Sequence, residues 1–109
     1  MTESEYLTLA EATQRCIEEA LEAADLDFET GAGGVLEIEF GNGSVIVVNR
    51  QTAAQEIWVA ARSGGFHYRW NGAEWRDTRS GAELLCELSR LASMQAGTPV
   101  TLTCARTPG

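Results

Sequence analysis

The chain of 109 residues has no lysine and a single histidine, and its eight arginines stand against sixteen aspartates and glutamates, a formal net charge of −8 at pH 7. Nucleic acids and anionic membranes are bound through concentrated positive charge, so this composition argues against both as partners. No apolar run approaches the roughly 18 residues of a membrane span, and the N-terminus lacks the basic-then-apolar pattern of a signal peptide. We therefore expect a cytoplasmic protein.

Cysteine is scarce as well. Cys16, Cys86 and Cys104 are odd in number, widely separated and free of any C-x-x-C spacing. Neither a disulfide framework nor a zinc site is indicated, and we expect reduced thiols. With 44% apolar residues, residues 1–109 are long enough to form one domain around a single core, with residues 98–109 as a C-terminal tail.

The negative charge is concentrated at one end of the chain. Residues 1–30 contain nine acids and one base, Arg15, whereas residues 31–109 contain seven acids and seven arginines. The net charge of −8 therefore belongs to the first thirty residues. Cations, or a basic protein surface, are the natural partners of such a segment.

Two segments show the three-and-four spacing of apolar residues that is typical of amphipathic helices. The first covers about residues 4–24 and carries acids on its exposed face. The second is expected to start near Gly81, because Ser80 and Glu83 have the spacing of a capping box, and to end at Gly97.

Between residues 26 and 77 the period changes to two, and turns such as Asn42-Gly43 separate five or six segments. The order helix, sheet, helix predicts an α+β fold, a two-layer sandwich in which an antiparallel sheet of five to six strands carries the N- and C-terminal helices on one face. The other face of the sheet is expected to be open to solvent.

Six acids lie at the end of the first helix and along the first strand: Glu18, Glu19, Glu22, Asp25, Asp27 and Glu29. The helix macrodipole disfavours a carboxylate at a helix C-terminus by roughly 0.3–1 kcal/mol, so stability alone would not select this arrangement. The acids form either a solvated face kept for solubility or a weak surface site for hard or borderline cations. No His-x-x-Glu or EF-hand spacing indicates a tight metal cage.

Two side chains are candidates for the open face of the sheet. On the fourth predicted strand, Ile57, Val59 and Ala61 form the better inward set, which leaves Trp58 outward as an interface anchor. A register slip of one residue would place Trp58 in the core instead. His67 falls outward on the next strand, either as an ordinary surface residue or as one nitrogen ligand for a bound metal.

Seven short motifs occur in the order Gly34-Val35-Leu36, Asn42-Gly43-Ser44, Asn49-Arg50-Gln51, Ile57-Trp58-Val59-Ala60, Gly64-Gly65-Phe66-His67-Tyr68, Glu74-Trp75 and Arg79-Ser80-Gly81. In this order they resemble bacterial frataxin homologues, the CyaY proteins, over about residues 3–97. The resemblance implies the same two-layer fold that the patterns predict.

The resemblance also implies a function, that of a non-enzymatic, iron-binding modulator of iron–sulfur cluster assembly that is monomeric without metal. The six acids would form a ridge that binds iron weakly and docks on a basic surface of the cysteine desulfurase, with Glu3 and Glu11 peripheral. His67 would be an accessory metal residue. The contact region for the assembly machinery, including the iron–sulfur scaffold protein, would be Asn49, Arg50, Gln51 and Trp58.

The chain departs from the family pattern at the end of the first helix. Ala23 and Ala24 stand where members of the family often carry further acids, so we expect a lower metal stoichiometry here. An iron-oxidising or iron-storing protein is the alternative, although the chain lacks the Glu/His set of a di-iron bundle. A third possibility is an acidic mimic that blocks a nucleic-acid-binding protein.

Overall fold

The N-terminal helix, α1 (Glu3–Ala23), begins at a capping box in the structure, a computed structural model that describes residues 1–104. The Thr2 N–H donates to the Glu5 carboxylate (2.7 Å), and the Glu5 N–H donates to the Thr2 hydroxyl (3.0 Å). The bond from the Thr2 backbone is the main cause that holds the pKa of Glu5 below its ordinary value. One stripe of the helix is buried: Tyr6, Leu9, Ala10, Thr13, Cys16, Ile17, Ala20 and Leu21.

Six strands follow and form one antiparallel sheet whose spatial order is the order of the chain. They are β1 (Asp27–Gly31), β2 (Val35–Glu39), β3 (Val45–Gln51), β4 (Glu56–Ala61), β5 (Gly64–Trp70) and β6 (Trp75–Asp77). The meander that the two-residue period predicts is therefore present, with six strands.

The core lies between one face of this sheet and the two helices, α1 and α2 (Leu84–Ala96). Alternate strand residues point into it, among them the fully buried Leu36, Ile38, Ile46 and Tyr68. The α+β sandwich with both helices on one face is confirmed. Within residues 1–104, no helix is both long and apolar enough to cross a membrane.

Two side-chain hydrogen bonds fasten α1 to distant strands of the sheet. The Tyr6 hydroxyl donates to the Glu56 carbonyl oxygen (2.6 Å), and the Trp75 indole N–H donates to the Thr13 hydroxyl (2.9 Å). All four residues are buried. Because a buried polar group without a partner is costly, these bonds fix the helix in one position over β4 and β6.

The start of α2 differs from the prediction. Glu83 is the N-cap, and its carboxylate accepts from the N–H groups of the second and third helical residues (2.9 and 3.1 Å). Gly81 has φ +76°, outside the helical region, and Glu83 forms a β-bridge with Arg76. The predicted capping box at Ser80 is therefore wrong, since the chain turns at residues 78–80 and the helix begins only after Glu83. The end at Gly97 (φ +75°) is confirmed.

Residues 98–104 are irregular and lie along α2. The Val100 N–H donates to the Ser93 hydroxyl (2.8 Å), and the Leu102 N–H donates to the Ser89 hydroxyl (2.9 Å). Leu102 is buried in the core. This part of the predicted tail is packed and irregular as expected, and residues 105–109 lie outside the described residues.

The expectation of three reduced cysteines is wrong. Cys16 on α1 forms a disulfide with Cys104, and their Cα atoms are 5.5 Å apart, within the usual range for such a bond. Cys86 is free and exposed, and a hydrogen bond with Glu83 raises the pKa of its thiol. The spacing of the cysteines gives no hint of the pairing, because the two partners are 88 residues apart and meet only where the tail packs beside α1.

We predict that loss of this disulfide destabilises the fold. Because a cross-link over 88 residues restricts the unfolded chain, Cys104→Ser should lower the free energy of unfolding by roughly 2–4 kcal/mol in urea denaturation. A reducing agent should have the same effect on the wild-type chain. Cys86→Ser is the control and should leave stability unchanged. Equal stability of the oxidised and reduced wild-type chain would contradict the prediction.

Candidate functional site

Four carboxylates share the outer side of the first two strands, and we call them the acidic edge. In the β1–β2 register Asp27 lies opposite Glu39, and Glu29 lies opposite Glu37. The Cβ atoms of residues paired in this way are on the order of 5 Å apart. All four face away from the helices, because their neighbours on β2 point into the core.

Repulsion within the acidic edge is visible in one pKa. The pKa of Glu39 is raised above its ordinary value, first by the charge of Glu29, then by desolvation and by the charges of Glu37 and Asp27. Glu37 and Glu39 were not predicted as site residues, because they belong to the part of the sequence whose net charge is zero. Their alternation with the core residues of β2, combined with hairpin pairing to β1, could have found them.

The acids at the end of α1 adjoin this edge. Glu19, Glu22 and Asp25 are exposed, and no basic residue lies in the last turn of the helix. Glu18 is half-buried, accepts a hydrogen bond from the Gln14 amide (3.1 Å) and lines a shallow cavity of about 380 Å³ together with the end of β1. The structure thus brings the six predicted acids to one corner of the molecule and adds Glu37 and Glu39 from β2. We call these eight residues the acidic corner.

These acids do not converge on a point. Within residues 1–104, no three or more His, Cys, Asp or Glu side chains lie close enough together to hold a metal ion. A cation at this corner would keep much of its water and touch one or two carboxylates at a time. Its attraction would come from the summed charge of the surface.

Trp58 lies on the open face, the side of the sheet that the helices leave uncovered. In register it stands between Asn49 of β3 and His67 of β5. Its indole stacks on the His67 imidazole, with ring centroids 4.3 Å apart and planes 8° from parallel. Of the two alternatives for Trp58, the structure shows the outward one, and His67 is exposed beside it.

Arg50 does not share the open face with Asn49 and Gln51, because adjacent strand residues point to opposite sides. It lies on the helix side, where its guanidinium pairs with Glu11 of α1 (Nη1–Oε1 3.6 Å). The chain crosses it at Gly34 (φ +79°), where a Cβ atom would collide with the guanidinium. Three of the four predicted partner-binding residues are therefore together, and Arg50 ties the sheet to α1.

His67 is remote from the acidic edge. β5 is four strands away from β1, which is roughly 19 Å at about 4.8 Å per strand. Its Nδ1 instead faces the Glu56 carboxylate at 3.9 Å. The structure thus separates the predicted accessory metal residue from the six acids.

Comparisons with known proteins identify the family of the chain. A family model described as a Frataxin-like domain matches residues 1–98. The chain belongs to the CyaY family of bacterial frataxin homologues. The resemblance seen in the seven motifs is confirmed.

Two curated relatives of this frataxin homologue carry the name iron-sulfur cluster assembly protein CyaY. That of Dechloromonas aromatica (strain RCB) is 61% identical over 104 residues, which cover 94% of this chain and 99% of the relative. That of Paraburkholderia phymatum is 52% identical over 94% of this chain and 98% of the relative. The solved frataxin from Psychromonas ingrahamii has a TM-score of 0.86 at 34% identity, over 94% of this chain and 99% of its own.

We predict that Glu29→Gln in this frataxin homologue lowers the pKa of Glu39 towards its ordinary value of 4.5, because the largest perturbing charge is removed. Carboxyl chemical shifts in an NMR pH titration measure this pKa. Folding raises it, so the repulsion destabilises the fold at neutral pH and stability is regained as the pH falls through the raised pKa. Glu29→Gln should therefore reduce the increase in the free energy of unfolding that occurs as the pH falls. Glu11→Gln is the control, and an unmoved Glu39 titration in Glu29→Gln would refute the prediction.

Proposed function

We propose that the chain modulates iron–sulfur cluster assembly in the cytoplasm, without catalysing a reaction, by docking its acidic corner on a basic surface of the cysteine desulfurase and binding iron weakly there. The observation that carries the proposal is the cross-strand pairing of Asp27 with Glu39 and of Glu29 with Glu37. Like charges set directly opposite each other are destabilising, so a cationic partner would relieve a cost that the fold sustains alone. The names of the relatives support the pathway.

The charges of this corner are available for a partner. Among residues 1–104, no arginine forms an ion pair with the acidic edge or with Glu19, Glu22 or Asp25. Elsewhere acids are neutralised locally, as Glu74 is by Arg76 at 2.6 Å. The corner therefore keeps a net negative field, which steers association with a positively charged surface.

The open face provides a second contact region, for which we propose the iron–sulfur scaffold protein as partner. Asn49, Gln51 and Trp58 supply amide groups and an aromatic ring on one side of the sheet. Such a mixture of polar and aromatic side chains is typical of interface cores. The two contact regions are separate, because Trp58 on β4 is three strands away from β1.

Charge removal tests the docking on the desulfurase. We expect Glu18→Gln, Glu19→Gln and Glu22→Gln combined to weaken binding to the cysteine desulfurase by about 10-fold or more at low salt and to flatten its salt dependence. Isothermal titration calorimetry at several salt concentrations measures both. The control removes two acids outside the corner, with Glu74→Gln and Glu87→Gln. An equal loss in the control, or unchanged affinity in the first variant, would rule out docking through this corner.

Iron binding has a separate test. We expect ferrous iron, added without oxygen, to broaden backbone amide resonances of the acidic edge and of the end of α1, because a paramagnetic ion relaxes nearby nuclei. Asp27→Asn with Glu37→Gln should reduce the broadening while leaving the fold intact, and Glu74→Gln should not. Broadening centred on His67 or spread evenly over the chain would count against the proposed location.

A further inference from the structure

Glu56 is a buried carboxylate on the open face, an unusual place for a buried charge. Only 8% of its side chain is exposed, and both oxygens are used. Oε1 accepts from the Trp58 indole N–H at 2.8 Å, and Oε2 accepts from the Arg69 guanidinium at 2.6 Å. A carboxylate with this little water must keep such partners, since an unpaired buried charge is costly.

The same carboxylate touches both members of the stacked ring pair. Its Oε1, which holds the Trp58 indole, is 3.9 Å from the His67 Nδ1. The two rings are nearly parallel. When the indole N–H donates to Glu56, rotation about the side-chain bonds of Trp58 is restricted. The indole ring then lies flat on the imidazole of His67.

The backbone of Glu56 is anchored from the covered side of the sheet. Its carbonyl accepts from the Tyr6 hydroxyl at 2.6 Å, and it follows Gln55, which ends a turn with φ +54°. Its position in the ladder is set by pairing with Gln51 and Arg69. The backbone of Glu56 is thus held in place. A side chain can orient a neighbouring side chain only if its own backbone is fixed in this way.

The ion pair with Arg69 does not by itself explain this arrangement. The Arg69 side chain is 64% exposed, and exposed partners contribute little net stability. The contact that distinguishes Glu56 from an ordinary surface carboxylate is the one to the indole.

We propose that Glu56 is a positioning residue, which holds the Trp58 indole flat against His67 so that the open face presents a preformed aromatic pair to the scaffold protein. The inference rests on the proposed function. An indole that is already ordered loses less conformational entropy on docking than a mobile one, and the gain is an affinity higher by about 3- to 10-fold.

The test uses the full chain and two readouts. In the free protein, the Trp58 indole N–H resonance, assigned with Trp58→Phe, reports the hydrogen bond, and the His67 ring protons report the stack. Binding to the scaffold protein of the same organism is measured by calorimetry. We expect Glu56→Ala to shift both sets of resonances, to speed exchange of the indole N–H and to weaken binding by about 3- to 10-fold.

Three further variants separate positioning from a structural role. Glu56→Gln combined with Arg69→Ala leaves the single amide oxygen to the indole N–H and should restore both the resonances and the affinity relative to Glu56→Ala. Glu74→Ala removes an acid that is also paired with an arginine at 2.6 Å, but one without an indole contact, and it should change neither readout. In the Trp58→Phe background, Glu56→Ala should cost no further affinity, because there is no indole N–H to hold.

The inference is overturned if Glu56→Ala leaves the indole and imidazole resonances in place, if it shifts them without weakening binding, or if the folded protein with Glu56→Gln and Arg69→Ala behaves like Glu56→Ala. It is also overturned if Glu56→Ala weakens binding equally with Phe at position 58. Failure of the wild-type chain to bind the scaffold protein would instead refute the proposed contact on the open face, and the spectra of the free protein would still decide whether Glu56 positions the ring.

Discussion

Tyr6 and Ile17 lie fully buried between α1 and the sheet, and this contact decides which side of every strand meets water. Once one face is covered, alternation sends each remaining strand residue to the open face. Asp27 and Glu29 on β1, Trp58 on β4 and His67 on β5 therefore share one surface, although up to forty residues separate them. The acidic edge and the aromatic pair are two ends of a single sheet face that the helix packing leaves exposed.

The core is also what allows the fold to tolerate its own repulsion. A carboxylate at the wrong end of a helix costs roughly 0.3–1 kcal/mol, whereas burial of one Leu or Ile side chain contributes about 1.5–3 kcal/mol. Leu36 and Ile38 are fully buried and alternate along β2 with Glu37 and Glu39. Burial of Leu36 and Ile38 thus offsets the repulsion that Glu37 and Glu39 add on the other face of β2.

The features that sequence predicts here are those set by local period. Ile57 and Val59 indicate which way β4 faces, and the outward position of Trp58 follows from them. The pairing of Glu39 with Asp27 depends on the register that the turn at residues 32–34 imposes, and the Cys16 bond depends on where residues 98–104 pack. At the start of α2 the sequence offers two N-caps, Ser80 and Glu83. The β-bridge between Glu83 and Arg76 is compatible only with the second. Sequence carries no direct record of such contacts between distant segments.

Arg50 sets the limit of the acidic corner. It points to the helix side of β3, opposite to Asn49 and Gln51, and its guanidinium reaches Glu11 of α1. Gly34, which leaves room for it, also turns the chain into β2. One residue thus neutralises the helix acid nearest the middle of α1. Within residues 1–104, the acids at the helix end and on the first two strands lie beyond this pair and have no arginine partner, so they concentrate negative charge at one corner of the molecule.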